Sequence, residues 1–164
     1  MEITTSQKEF TGYIRENRGI IFKICRSYCA DQDDREDLAQ EIVYNLWKSF
    51  GTYDTTLRFS TWMYRVALNV AISFYRRERK HKDHDEFSER LIVYEDDPGE
   101  KESNLKLLQG FIHELKEIDK AIILLYLEDK GHREIAEITG FTETNVSTRI
   151  SRIKETLRVK FQNQ

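Results

Sequence analysis

Proline is all but absent. Pro98 is the single one in 164 residues, so little interrupts a helix along most of the chain, and collagen-like or proline-rich architectures are excluded. Two cysteines, Cys25 and Cys29, are too few for a disulfide-stapled scaffold. Their i, i+4 spacing in an apolar stretch suits a metal or redox pair less well than it suits buried free thiols in a reducing compartment. The longest apolar run is AIILLYL at 121–127, far short of the roughly 20 residues that span a bilayer. The start, MEITTSQKEF, lacks a basic segment leading into an apolar one, so no signal peptide is expected and the chain is expected in the cytoplasm, not inserted in a membrane. No glycine-rich phosphate cradle occurs, and Ser, His and Asp fall in no catalytic arrangement. The strongest metal reading pairs Asp37 and Glu41 with His81 and His84, which are distant from them in sequence. No enzyme, cofactor, metal or small-molecule substrate is therefore expected.

What is present is helical. With 39% hydrophobic and 34% charged residues, the chain has the composition of a compact helical protein. The run REIAEITGFTETNVSTRISRIKETL at 133–157 reads as two short helices joined by a corner at Gly140, a helix-turn-helix. Ala136 is small where the helices must approach, and Val146 points back from the second helix onto the first. Thr142 is the expected N-cap, and Val146, Ile150, Ile153 and Leu157 form one buried stripe at helical spacing. Asn145, Thr148, Arg149 and Arg152 are left on the other face, and Arg and Asn are the side chains best shaped to read guanine and adenine edges in a major groove. The alternative is an ordinary helical hairpin with solvated polar residues.

A net charge of −3 conceals strong segregation. Residues 58–82 hold seven bases against one acid, a patch suited to phosphate. Residues 83–102 hold nine acids against two bases. Periodicity lapses in that acidic stretch, and Pro98 and Gly99 interrupt it, so 81–103 reads as a linker between a first domain, 1–80, and a second, 104–164. The fold expected is all-α: two small helical domains joined by an acidic linker, the second carrying the helix-turn-helix. Fully extended, the linker reaches about 75 Å.

In the first domain a helix from about Ser6 to Ala30 turns Phe10, Ile14, Ile21, Ile24 and Tyr28 inward. A second, from about Asp34 to Phe50, buries Leu38, Ile42, Val43, Leu46 and Phe50, leaving Asp37, Gln40, Glu41 and Tyr44 on another face. Residues 51–59, GTYDTTLRF, read as an exposed loop. The next helix carries Met63, Val66, Ala67, Val70, Ala71 and Phe74 on a core face, with Trp62, Arg65, Asn69, Ser73 and Arg76 as a second stripe. Aromatic and polar residues beside a basic end suit an unstacked strand, whose bases stack on rings while cations hold phosphates. For Trp62 a core place outweighs a base platform, whereas Arg76, Arg77, Arg79 and Lys80 crowd too much charge together for a merely solvated face.

The segments REDLAQEIVYNLWKSF, FSTWMYRVALNVAISFYRRERK and REIAEITGFTETNVSTRISRIKETL, in that order, closely resemble the extracytoplasmic-function sigma factors, small two-domain relatives of the principal bacterial sigma factor. The resemblance runs from about Phe10 to Leu157. It implies a protein that binds core RNA polymerase, directs it to a promoter and helps open the duplex, catalysing nothing itself. By that likeness Asp37, Leu38, Gln40 and Glu41 fall in the polymerase-docking helix. Phe59, Trp62, Tyr64, Arg65, Asn69 and Arg76 fall in the segment that recognises the minus-ten element and holds its melted strand, with the loop before it helping to pocket an extruded base. Arg77, Arg79 and Lys80 extend this segment's basic end, while Asn145, Thr148, Arg149 and Arg152 would read the minus-thirty-five element as duplex. Asp83, Asp85, Glu86, Asp96 and Asp97 are candidates for nucleic-acid mimicry in the polymerase channel, with a plain solvated tether as the alternative. An anti-sigma factor is a family-level expectation only. A conventional repressor using the helix-turn-helix alone would bind its operator without polymerase and need none of Asp37, Gln40 or Glu41.

Overall fold

The computed structural model describes residues 2–82 and 100–164, with side chains placed outside 81–102; the acidic residues considered for mimicry lie outside the described residues. All regular structure among the described residues is helical, apart from turns. In the first domain, α1 (Thr5–Glu16) opens on a reciprocal capping box: Thr4 Oγ1 accepts from the Gln7 amide, and Gln7 Oε1 accepts from the Thr4 amide at 2.8 Å. The single helix expected over 6–30 is instead two, because the Asn17 side-chain amide donates to the Tyr13 carbonyl at 2.9 Å and Asn17 leaves helical backbone geometry. Helix α2 (Arg18–Tyr28) then carries Ile21, Ile24, Cys25 and Tyr28 into the core. Both cysteines are buried free thiols, as expected.

Asp31 caps α3 (Gln32–Ser49), accepting from the Asp34 amide at 2.8 Å, and Asp33 and Asp34 complement the helix dipole in its first turn. A 3-10 turn, Phe50–Thr52, leads into the loop expected here. That loop is internally bonded: Asp54 Oδ1 accepts from the Thr56 amide and hydroxyl, and the Tyr53 hydroxyl donates to the Leu57 carbonyl at 2.6 Å. Helix α4 (Phe59–Lys82) packs Met63, Ala67, Ala71 and Phe74 against Leu38, Ile42 and Leu46 of α3 and Ile24 of α2. Of the expected apolar stripe, Met63, Ala67, Ala71 and Phe74 are buried and Val66 and Val70 half-buried, while Trp62, Tyr64 and Leu68 are buried as well.

The second domain comprises α5 (Glu100–His113), α6 (Glu117–Leu127), α7 (His132–Thr139) and α8 (Glu143–Gln162). Gly140 ends α7 at φ +83°, where its amide donates to the Ala136 carbonyl at 2.9 Å. An L side chain is strained in this region, so glycine sets the corner. Thr142 caps α8 by accepting from the Asn145 amide, and Val146, Ile150, Ile153 and Leu157 are buried against α6 and α7. The helix-turn-helix thus has the corner, cap and inward stripe that its residues imply.

The two domains pack together, α6 and α7 lying on α2 and α4. Their shared boundary contains Lys120, wholly buried at 0% exposure. No helix among the described residues is long and apolar enough to cross a membrane.

Candidate polymerase and promoter interfaces

Helix α3 presents Asp37 and Gln40 to solvent, while Glu41 is half-buried because Arg77 Nη2 donates to both its carboxylate oxygens at 2.7 Å. Leu38 is 0% exposed and anchors α3 in the core, as its place on the apolar stripe implies. Tyr44, 63% exposed, and Trp47, 41% exposed, continue the outward stripe at 37, 40, 44 and 47. The sequence reading left out Trp47 although its i+3 spacing from Tyr44 signals it. Trp47 packs on Phe10, ring centroids 5.1 Å apart, which holds the stripe rigid at its carboxyl end.

The rings expected near a melted strand are packed inward. Phe59 stacks on Tyr13 at 4.4 Å, and Trp62 lies 5.2 Å from Tyr53 and 5.4 Å from Phe59. Phe59 and Trp62 therefore brace the loop onto α4, and neither offers an open face here; the core place weighed for Trp62 is the one it takes. Tyr64 is buried beside α6 and α7, with the Lys130 ammonium 5.8 Å from its ring. Burial pushes its hydroxyl pKa up to about 12, and Glu128 and Glu134 add to the rise.

Arg65, Asn69 and Arg76 share the outward stripe of α4 at i, i+4 and i+11. The stripe is engaged at both ends. Arg65 Nη2 donates to the Glu137 carbonyl at 2.8 Å, and Arg76 Nε donates to Glu117 Oε1 at 2.9 Å. That bond from Arg76 holds the Glu117 carboxyl below its ordinary pKa. Asn69, Arg79 and Lys80 are exposed.

On α8, Asn145, Thr148 and Arg152 are exposed as expected, and Arg149 is half-buried. Arg149 Nε donates to Asn145 Oδ1 at 2.8 Å, its Nη1 donates to Asp119 Oδ1 at 3.2 Å, and its guanidinium lies 4.8 Å from the Phe141 ring centroid. Asp119 and Phe141, which orient this arginine, carry no sequence signal because they come from α6 and from the turn. Asp119, Arg149 and Arg152 line a cavity of about 100 Å³. Among the described residues, no group of three or more His, Cys, Asp or Glu side chains comes together to hold a metal.

A helix-turn-helix with an arginine-bearing outer face, joined to a helical domain with one basic stripe and one polar-aromatic stripe, defines a two-domain DNA-reading protein. Comparison with known proteins makes this specific. The family descriptions Sigma-70 region 2 and Sigma-70, region 4 match residues 13–81 and 105–157. The sigma factor SigV of Bacillus subtilis (strain 168) is 28% identical over 148 residues, covering 90% of this chain and 87% of that protein. The extracytoplasmic-function sigma factor SigW of the same organism is 26% identical over 165 residues, covering 93% and 88%. The fold matches CnrH in complex with the cytosolic domain of CnrY, with a TM-score of 0.70 at 18% identity over 96% of this chain and 90% of that one. It also matches RpoE in complex with the anti-sigma factor NepR from Bartonella quintana, with a TM-score of 0.71 at 19% identity over 94% and 98%. The chain belongs to the sigma-70 family of RNA polymerase sigma factors and is of the extracytoplasmic-function type. Such factors are non-enzymatic; this one works with core RNA polymerase and promoter DNA and directs promoter-specific initiation of transcription.

Proposed function

We propose a division of labour among the surfaces described above. The domains are taken as 1–80 and 104–164 with the linker at 81–103. Asp37, Gln40 and Glu41, extended by Tyr44 and Trp47, dock on core polymerase, and Leu38 positions them from the core. Arg65, Asn69 and Arg76, with Arg77, Arg79 and Lys80, hold the melted minus-ten strand, and Phe59, Trp62 and Tyr64 shape the surface around it. Asn145, Thr148, Arg149 and Arg152 read the minus-thirty-five duplex. Each domain alone binds DNA weakly, whereas mounting both on one polymerase makes affinity depend on two correctly spaced elements. The observation that carries this reading is α8 itself: Gly140 and Thr142 fix its start, its apolar stripe is buried, and its Arg and Asn side chains are left on the opposite face.

The site of action follows from the partners and is proposed as the cytoplasm, where polymerase and promoter meet. An anti-sigma partner is part of the proposal, supported by the likeness to RpoE, whose structure holds NepR. Two sets of variants separate the surfaces. Arg149→Ala and Arg152→Ala should reduce transcription from cognate promoters, each lost base contact being worth about 1 to 3 kcal/mol, while binding to core polymerase survives. The double variant Gln40→Ala, Glu41→Lys should instead impair holoenzyme assembly; normal pull-down of core polymerase by it would remove the docking assignment.

A further inference from the structure

We propose that Asp119, which lies on α6 outside the helix-turn-helix, is a specificity-determining positioning residue: it clamps Arg149 so that the arginine meets the minus-thirty-five duplex in one pose. The inference rests on the reading of Arg149 as a base contact and deepens it. Arg149 is restrained from three sides. Its Nε donates to Asn145 Oδ1 at 2.8 Å on its own helix, its Nη1 donates to Asp119 Oδ1 at 3.2 Å across to α6, and its guanidinium lies 4.8 Å from the Phe141 ring centroid in the turn. Asp119 is itself firmly placed. It sits in the first turn of α6, where the helix dipole favours a carboxylate, and the residues that follow it, Lys120, Ala121, Ile122 and Ile123, are buried.

Without that carboxylate the arginine has room to leave its pose. Asp119, Arg149 and Arg152 line the cavity of about 100 Å³ together with Leu115 and Ile153, and an unclamped guanidinium can swing into it. Arginine has among the most rotamer freedom to lose on binding, so one already held in its reading pose discriminates between bases better than a free one. A carboxylate beside a duplex-reading face also repels phosphate, so Asp119 weakens general DNA affinity and is offset by what it adds in selectivity. The bonds also decide which groups are offered to DNA. Asn145 takes the Nε hydrogen and Asp119 one Nη1 hydrogen, leaving the second on Nη1 and both on Nη2. Asn145 Oδ1 is engaged by the same bond, whereas an asparagine reading adenine needs that oxygen as well as its amide hydrogens. Asn145 and Arg149 therefore form one row of donors, suited to acceptor edges such as guanine O6 and N7, and Asp119 fixes the end of that row.

The test uses core RNA polymerase reconstituted with the full-length chain. A promoter that the chain specifies is randomised across its minus-thirty-five element, and transcripts are counted for every sequence. Arg149→Ala should flatten the base preference about tenfold at one or two adjacent base pairs, which locates the step that Arg149 reads. Asp119→Ala should flatten it about threefold at the same pairs and at no others, while loss of the carboxylate raises affinity for random duplex. Asp119→Asn keeps an oxygen acceptor for Nη1 and should restore most of the preference. In the Arg149→Ala background, Asp119→Ala should alter the profile no further. A uniform fall across all sequences in Asp119→Ala, with the Arg149 pairs still preferred, would mean that Asp119 merely ties α6 to α8; it would overturn the proposal and leave Arg149 as a reader. No positional effect of Arg149→Ala would instead overturn the base-contact reading and the proposal together. If circular dichroism shows that Asp119→Ala has lost its helices, Asp119→Ser, which stays polar in the first turn of α6 but falls short of Nη1, is judged by the same outcomes.

Discussion

At the scale of single residues, Lys120 has the most measurable consequence. Burial lowers its pKa from 10.5 to about 8, partly offset by Cys29 and Glu117. The native chain therefore releases this proton near pH 8, whereas the unfolded chain keeps it to about 10.5. Between those values the unfolded state binds more protons, so this group makes stability rise with pH, by up to about 3 kcal/mol across the window. Cys25 and Cys29, with thiols pushed up to about 11 and about 12, act in the opposite sense above pH 9, and Tyr28, also raised, does so above pH 10. Glu117, Tyr75 and the half-buried His113 complete the groups around the ammonium. Comparing wild type with Lys120→Met cancels the shared terms. In urea unfolding, the variant should be more stable at pH 7, with the difference shrinking toward pH 10; a difference independent of pH would contradict the account. Leu38 provides a second residue-scale check. Its Ala variant should lose about 3 kcal/mol of stability through core packing, a loss that the surface double variant at Gln40 and Glu41 should not share. The sequence placed Leu38 on the core stripe by periodicity and on the docking set by family likeness, and the structure gives it to the core. Lys120 was illegible because a lysine in an amphipathic helix reads as solvated until the covering face is known.

At the scale of elements, the helix-turn-helix was the most legible part, because each of its constraints falls on a residue with few substitutes. Gly140 sits at φ +83° with nothing within 4 Å of a Cβ built there, so Gly140→Ala is penalised by backbone conformation alone, at about 1 kcal/mol. Thr142→Ala removes the cap on the Asn145 amide and should cost about 1 kcal/mol as well. Both should lower the thermal midpoint by a few degrees, measured by circular dichroism. The break between α1 and α2 was hidden for the opposite reason. Phe10, Ile14, Ile21 and Ile24 keep one helical period through Asn17, and only a local bond from the Asn17 side chain to the Tyr13 carbonyl interrupts the helix. The approximate extent of α3 and α4 followed from apolar period and the start of α8 from its Thr142 cap, whereas the positioning of Arg149 by Asp119 and Phe141 required the packing of three elements.

At the scale of the whole molecule, charge segregation told where nucleic acid is expected to bind, but not that the second domain lies over the basic stripe. Periodicity identifies an apolar or charged face without naming what covers it, so the bonds from Arg65 and Arg76 across the domains had no counterpart in the sequence. All of this serves one activity, the choice of start sites by a polymerase that cannot choose them alone. The measurement that bears on it most directly is to add the purified chain to sigma-free core RNA polymerase with genomic DNA and sequence the transcript starts. The account predicts discrete starts that depend on the chain, share upstream elements at fixed spacing, and disappear with Arg149→Ala, Arg152→Ala; starts no different from those of core enzyme alone would contradict it.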